Sequence, residues 1–210
     1  MKVVGGDSSD REAVHSFLKW IPSTDYAGIR KIAIIGSPED TEYFDDPSPQ
    51  YVYDDLSQYL KNRDDGQAIN GVYYYDTKDI FLSKRGVKLD TVVHEIGHHL
   101  TVGDESLRIQ THELMRNVIR ELDDAMGESI TVNFLVEMTG DSGLDWRSFG
   151  NEKEFLADAY KILQIGTTRQ KQHLEGFWEC IGGVPSLKEL IDGSRYIMKG
   201  GASWWSLVER

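Results

Sequence analysis

Apolar and polar residues begin to alternate with a regular period only after about the tenth position. Residues 1–10, Met-Lys-Val-Val-Gly-Gly-Asp-Ser-Ser-Asp, are read as a flexible lead, and 11–210 as one folded domain. Asp10 is a good helix cap, and Val14, Phe17, Leu18 and Ile21 then recur at helical spacing until Pro22 stops the run. Lys31-Ile32-Ala33-Ile34-Ile35 is short, β-branched and closed by Gly36, which predicts a buried strand. An acidic, proline-bearing loop is expected over 37–50 and an amphipathic helix over Val52–Leu60, ended by Asp64-Asp65-Gly66. Val72-Tyr73-Tyr74-Tyr75 and Ile80-Phe81-Leu82, separated by Asp76-Thr77-Lys78-Asp79, predict two antiparallel strands joined by a short turn.

Beyond this hairpin the pattern turns helical. A helix is predicted from Leu89 to Thr101, with Gly103 suited to its exit, and others near 106–125, 151–164 and 186–192, with Gly140–Gly150 as a polar connection. No repeat, low-complexity tract or linker interrupts the chain, so the expected organisation is a single α+β domain.

Charge narrows the partners. The chain carries a formal net charge of −12, whereas sequence-independent binding to phosphate backbones needs clustered Lys and Arg. Nucleic acid and anionic membrane are therefore excluded as expected partners. No run approaches the roughly 18 apolar residues of a membrane helix. The opening residues lack the apolar stretch of a secretory signal, which fits a cytoplasmic protein or one secreted after processing. The single cysteine, Cys180, cannot form a disulfide within the chain and is expected to serve packing.

Candidate chemistry concentrates in Val92-Val93-His94-Glu95-Ile96-Gly97-His98-His99-Leu100. Histidines four apart on a helix stand one turn above each other, so His94 and His98 can address one metal ion. Zinc accepts imidazole nitrogens, and a catalytic zinc keeps three protein ligands and one open position for water. Glu95, next to His94, is placed to take the proton of that water as general base. A third ligand is sought on a separate helix, where Asn151-Glu152-Lys153-Glu154-Phe155-Leu156-Ala157-Asp158 offers carboxylates. Glu154 and Asp158 share a face, and Glu152 points elsewhere. On such a face one carboxylate can bind metal while the other orients a ligating histidine through its second nitrogen.

Together, His-Glu-Ile-Gly-His at 94–98 and Asn-Glu-Lys-Glu-Phe-Leu-Ala-Asp-Ala-Tyr at 151–160 resemble the catalytic domain of anthrax lethal factor and the Pro-Pro endopeptidases, zinc peptidases of the gluzincin type. The likeness includes Asp79-Ile80-Phe81-Leu82-Ser83 and spans roughly residues 70–165. It implies a zincin-like metallopeptidase domain, with a small sheet packed against the helix of the first motif and a second helix bearing the glutamate. It further implies one zinc ion held by His94, His98 and Glu154, with Asp158 behind the ligands, and an endopeptidase acting on a peptide or protein. Peptidases of this class bind extended substrates along a sheet edge, for which Lys78–Ser83 is the candidate strand; an ordinary core strand that delivers the helix is an equal alternative.

Lethal factor-like enzymes also carry a tyrosine shortly before the glutamate ligand, able to stabilise an oxyanion. Here Arg147 lies seven residues upstream of Glu154, and Phe149 is the aromatic that a short gap would align with the family's tyrosine. That departure keeps open a zincin-like binding protein that holds metal without hydrolysis. A repressor-cleaving regulatory peptidase also fits the first motif, although the wide gap between His98 and Glu154 speaks against it. Arg147, Tyr160, His173 and Tyr196 are candidates for the missing hydroxyl's task. His99 is turned about 100° from His98 and is expected on another surface of the helix. His15, His112 and His173 stand alone and are expected to be ordinary polar residues, and Trp204-Trp205 to dock the tail.

Overall fold

A computed structural model describes residues 1–36, 70–126, 128–145 and 147–198. The loop expected over 37–50, the helix expected over 52–60, the side chain of Tyr196 and the Trp204-Trp205 pair lie outside the residues it describes. The architecture is α+β and mostly helical, with four strands and seven helices among the described residues. In chain order these are β1 (Lys2–Gly5), α1 (Ser8–Leu18), β2 (Lys31–Ile35), β3 (Gly71–Tyr74), β4 (Asp79–Ser83), α2 (Leu89–Val102), α3 (Glu105–Met126), α4 (Glu128–Thr139), α5 (Glu152–Ile165), α6 (Thr168–Cys180) and α7 (Leu187–Met198). Two compact units divide the chain, Met1–His99 and Leu100–Arg210, and the division falls inside α2.

In the first unit the strands run in the order β1-β2-β4-β3, the first three parallel and β3 antiparallel to β4. The register aligns Val4, Ala33, Phe81 and Val72 in one row across the sheet. Tyr74 meets the Phe81 ring edge-on, with centroids 5.7 Å apart. The opposite face carries Ile32, Ile34, Ile80 and Leu82, all fully buried. Burial on both faces explains why β2 reads as an unbroken apolar run and not as an alternating one. At the start of β4, the Asp79 carboxylate is fully buried and clasped by the fork of Arg30, with the Lys31 ammonium 3.9 Å away.

The flexible lead expected for residues 1–10 is corrected. Val3 and Val4 belong to β1, which pairs parallel with β2, and the chain then turns through Gly5 and Gly6 directly into α1. At Gly5, φ is +74°, and an added Cβ would stand 2.1 Å from the Ile34 carbonyl oxygen, so the turn requires glycine. The helix cap is Asp7, with Asp10 as its reciprocal partner in a capping box. The Asp7 side chain accepts from the Ser9 hydroxyl and the Asp10 amide, and these bonds hold its carboxyl below the usual range.

The structure decides between the two places open to Lys78–Ser83. Strand β4 is hydrogen-bonded on both sides, to β2 and to β3, so it is an inner strand, and β1 and β3 are the edges among the described residues.

In the second unit, helices α3 to α7 enclose a core built on Phe149, Phe155, Phe177 and Trp178, with Leu107, Leu135, Leu156 and Leu174. Phe155 stacks on Trp178 at 6.1 Å, and the indole N–H donates to the Pro185 carbonyl at 2.9 Å. Helices α3, α5 and α7 occupy the expected segments, whereas α4 and α6 were not anticipated. Helix α4 is rich in β-branched residues, which favour strands in isolation. Helix α6 is polar and contains Gly176, yet Thr167 and Gln170 form a capping box that marks its start. Cys180 ends α6 exposed, which corrects its expected place in the packing.

Candidate metal centre

The chain delivers the first histidine pair through a tightly specified turn. After β4, the Ser83 hydroxyl accepts from the Gly86 amide, while the Ser83 amide donates to the Asn70 carbonyl at 3.0 Å. Helix α2 then begins at Leu89 and turns Val92, Val93, Ile96 and Leu100 inward, all fully buried. That apolar face fixes the rotation of the helix and leaves His94 and His98 half-buried, one turn apart. Their rings meet edge-on, with centroids 4.7 Å apart at 88°.

Glu95 is almost completely buried, with 4% of its surface exposed. His99 is rotated off the His94–His98 face, as expected, and is buried. Its Nε2 lies 2.9 Å from the Ala27 carbonyl oxygen, which can only accept, so Nε2 carries the proton. Its Nδ1 then accepts from the Tyr73 hydroxyl on β3 at 2.9 Å. Burial lowers the His99 pKa below its ordinary value and pushes the Tyr73 hydroxyl up. The neutral ring is thus the form this surrounding favours.

The third candidate ligand is set by the start of α5. Asn151 caps this helix, its side chain accepting from the amides of Lys153 and Glu154 at 3.0 Å each. Glu154 consequently sits in the first turn, where a carboxylate is favoured by the helix dipole, and is half-buried. Glu152 faces another way, with Oε2 3.4 Å from Nδ1 of His112. Asp158 is buried one turn after Glu154 and accepts from the Ser148 hydroxyl and the Lys161 ammonium, both at 2.6 Å.

One potential ligand atom from each of His94, His98 and Glu154 lies within 4.8 Å of the others, a group able to hold a metal ion. Zinc bonds of about 2.0–2.2 Å place tetrahedral ligand atoms about 3.4 Å apart, so shifts of roughly an ångström close the set on an ion. Two imidazoles and a carboxylate suit zinc, whose catalytic sites use that combination and leave a fourth position for water.

The residues considered for oxyanion stabilisation are dispersed. Phe149 is buried against Phe155 and Phe177 in the core of the second unit, with centroids 6.3 and 5.8 Å away. Tyr160 is fully buried, and Arg147 is exposed. His173 lines an open pocket with Gln172, Gly176, Phe177 and Cys180. Gly71, which lies against Glu95, and Tyr73, which bonds His99, had no motif to reveal them. Their only signal is that β3 alternates a glycine and a tyrosine on one face.

No protein-family model matches the chain, and no curated protein matches it.

Proposed function

We propose that the protein is a zinc-dependent endopeptidase with a zincin-like catalytic centre. The observation that carries this reading is the convergence of His94, His98 and Glu154, with Glu95 directly following the first histidine. Glutamate there has a use that a structural metal site does not require, since structural zinc sites close all four positions with protein ligands.

His94 and His98 would hold the ion as neutral imidazoles and Glu154 as a carboxylate. A bound zinc ion supplies Lewis acidity and makes water in its open position a better nucleophile near neutral pH. Glu95 takes one proton from the attacking water as the oxygen bonds to the scissile carbonyl carbon, and returns it to the departing amine as the C–N bond breaks. Its burial removes competing water from that proton's path. Asp158, one turn after Glu154 on the same helix, would help hold a ligand in orientation; its own carboxylate is fixed by bonds from Ser148 and Lys161. An extended substrate would add to β3, one of the two edge strands among the described residues and the one whose Gly71 lies against Glu95.

Metal analysis of the wild type beside Glu154→Ala, together with cleavage of an unbiased peptide library with and without chelator, tests the reading. Stoichiometric zinc that is lost in the variant, with chelator-sensitive cleavage, is the expected result; absence of zinc from the wild type refutes it. A second reading, a metal-binding protein without hydrolysis, is favoured by the core position of Phe149, which presents no hydroxyl. It predicts stoichiometric zinc with no cleavage.

A further inference from the structure

Strand β3 and helix α2 run in step. Gly71 and Tyr73 stand two residues apart on the strand, about 6.8 Å, and Glu95 and His99 four residues apart on the helix, about 6.0 Å. Tyr73 is tied to His99 by the 2.9 Å hydrogen bond, and Gly71 lies against Glu95. An ideal Cβ added to Gly71 would be 2.9 Å from Cγ and from Oε1 of Glu95, and 2.9 Å from Cγ2 of Thr91. Ordinary carbon contacts are about 3.5–4.0 Å, so no side chain fits there without displacing something. Gly71 is not among the residues with positive φ, so the need for glycine is one of space and not of backbone conformation.

The strand cannot retreat to make that space. The Asn70 carbonyl accepts from the Ser83 amide at 3.0 Å, and it is packed so closely on Gly86 that a Cβ there would stand 1.7 Å from its oxygen. What yields to a methyl group at position 71 is therefore the end of the Glu95 side chain.

We infer that Gly71 is a positioning residue for Glu95: its missing side chain leaves the space that the Glu95 side chain occupies against the strand. The inference rests on Glu95 being the general base proposed above. Displacing a catalytic group by about an ångström costs on the order of 100-fold in rate. In the full-length, zinc-loaded protein, Gly71→Ala is expected to lower kcat on a cleaved library peptide about 10- to 100-fold, with KM within about twofold. Zinc affinity, measured by competition with a chromogenic chelator, is expected to stay within about twofold, because the atoms nearest the added methyl belong to Glu95 and Thr91 and not to the candidate ligands. A crystal structure of the variant shows the Glu95 carboxylate moved by about an ångström or more.

Thr91→Ser removes Cγ2, the other atom in the way, and separates the two routes. If Gly71→Ala/Thr91→Ser keeps the kcat loss, the effect runs through Glu95. If Thr91→Ser restores full activity, or if Gly71→Ala leaves kcat and the Glu95 carboxylate unchanged, the inference is wrong. Should the wild type bind zinc and cleave nothing, the peptidase reading fails, while the position of Glu95 in the variant crystal still decides whether Gly71 sets it.

Discussion

Replacing Tyr73 with phenylalanine removes one oxygen atom and leaves a buried imidazole nitrogen without its donor. His99 is 3% exposed, so water cannot take the place of the hydroxyl. The ring itself remains, and with it the edge-on contact at 5.4 Å between Tyr73 and His99. The cost is thus that of an unsatisfied buried acceptor, about 1–3 kcal/mol. It falls on β3, held by hydrogen bonds to β4. Hydrogen exchange at the amides of β3 and β4 should report it, as a loss of protection of roughly 5- to 150-fold, each factor of ten being about 1.4 kcal/mol. The His99→Leu background supplies the control. There the nitrogen is gone, and Ala27 is exposed enough for its carbonyl to bond water, so Tyr73→Phe should cost much less. Equal loss of protection in both backgrounds, or none in either, would refute the argument that the hydroxyl satisfies His99.

Three further outcomes are expected. Glu95→Gln should retain zinc at wild-type stoichiometry and lose cleavage by about 100- to 10,000-fold, as metal analysis beside turnover will show. Because burial holds the folded His99 pKa below its ordinary 6.5, the unfolded chain binds this proton first; the stability from the neutral ring is complete above that pH and is lost as pH falls below it. Comparing urea unfolding of metal-free wild type and His99→Gln between pH 7.5 and 5.5 should therefore show the steeper decline in the wild type. Asp79→Ala should destabilise the sheet by about 3 kcal/mol or more, since it removes the fully buried carboxylate that accepts both bonds from the Arg30 fork; an unchanged exchange pattern in β2 and β4 would contradict this.

Much of the candidate centre was legible from spacing. His94 and His98 are brought together by 3.6 residues per turn, and the inward face of Val92, Val93 and Ile96 sets how that helix lies. Glu154 was reached through a likeness between motifs, and its distance to the histidines belongs to the folded chain. The errors have physical sources. The N-terminal strand was mistaken for a lead because Val3 and Val4 are too few to show a period, and their pairing with β2 joins residues about 30 positions apart. Helix α4 was missed because its β-branched residues argue locally for strand, a preference that burial in a helical core overrides. Whether Lys78–Ser83 is an edge or a centre was left open because apolar content does not distinguish the two when both faces of the sheet are covered.

By itself, then, the sequence determined what depends on neighbours along the chain: the histidine pair one turn apart, the β3–β4 hairpin and the buried character of β2. Tertiary structure decided what depends on partners distant in sequence. It set which strands form the edges, gave His99 to Tyr73 and Ala27, and placed the Gly71 backbone where Glu95 needs room. Helical and hairpin periods are imposed by backbone geometry over a few residues, whereas these contacts are made only when burial of apolar faces brings separate elements together.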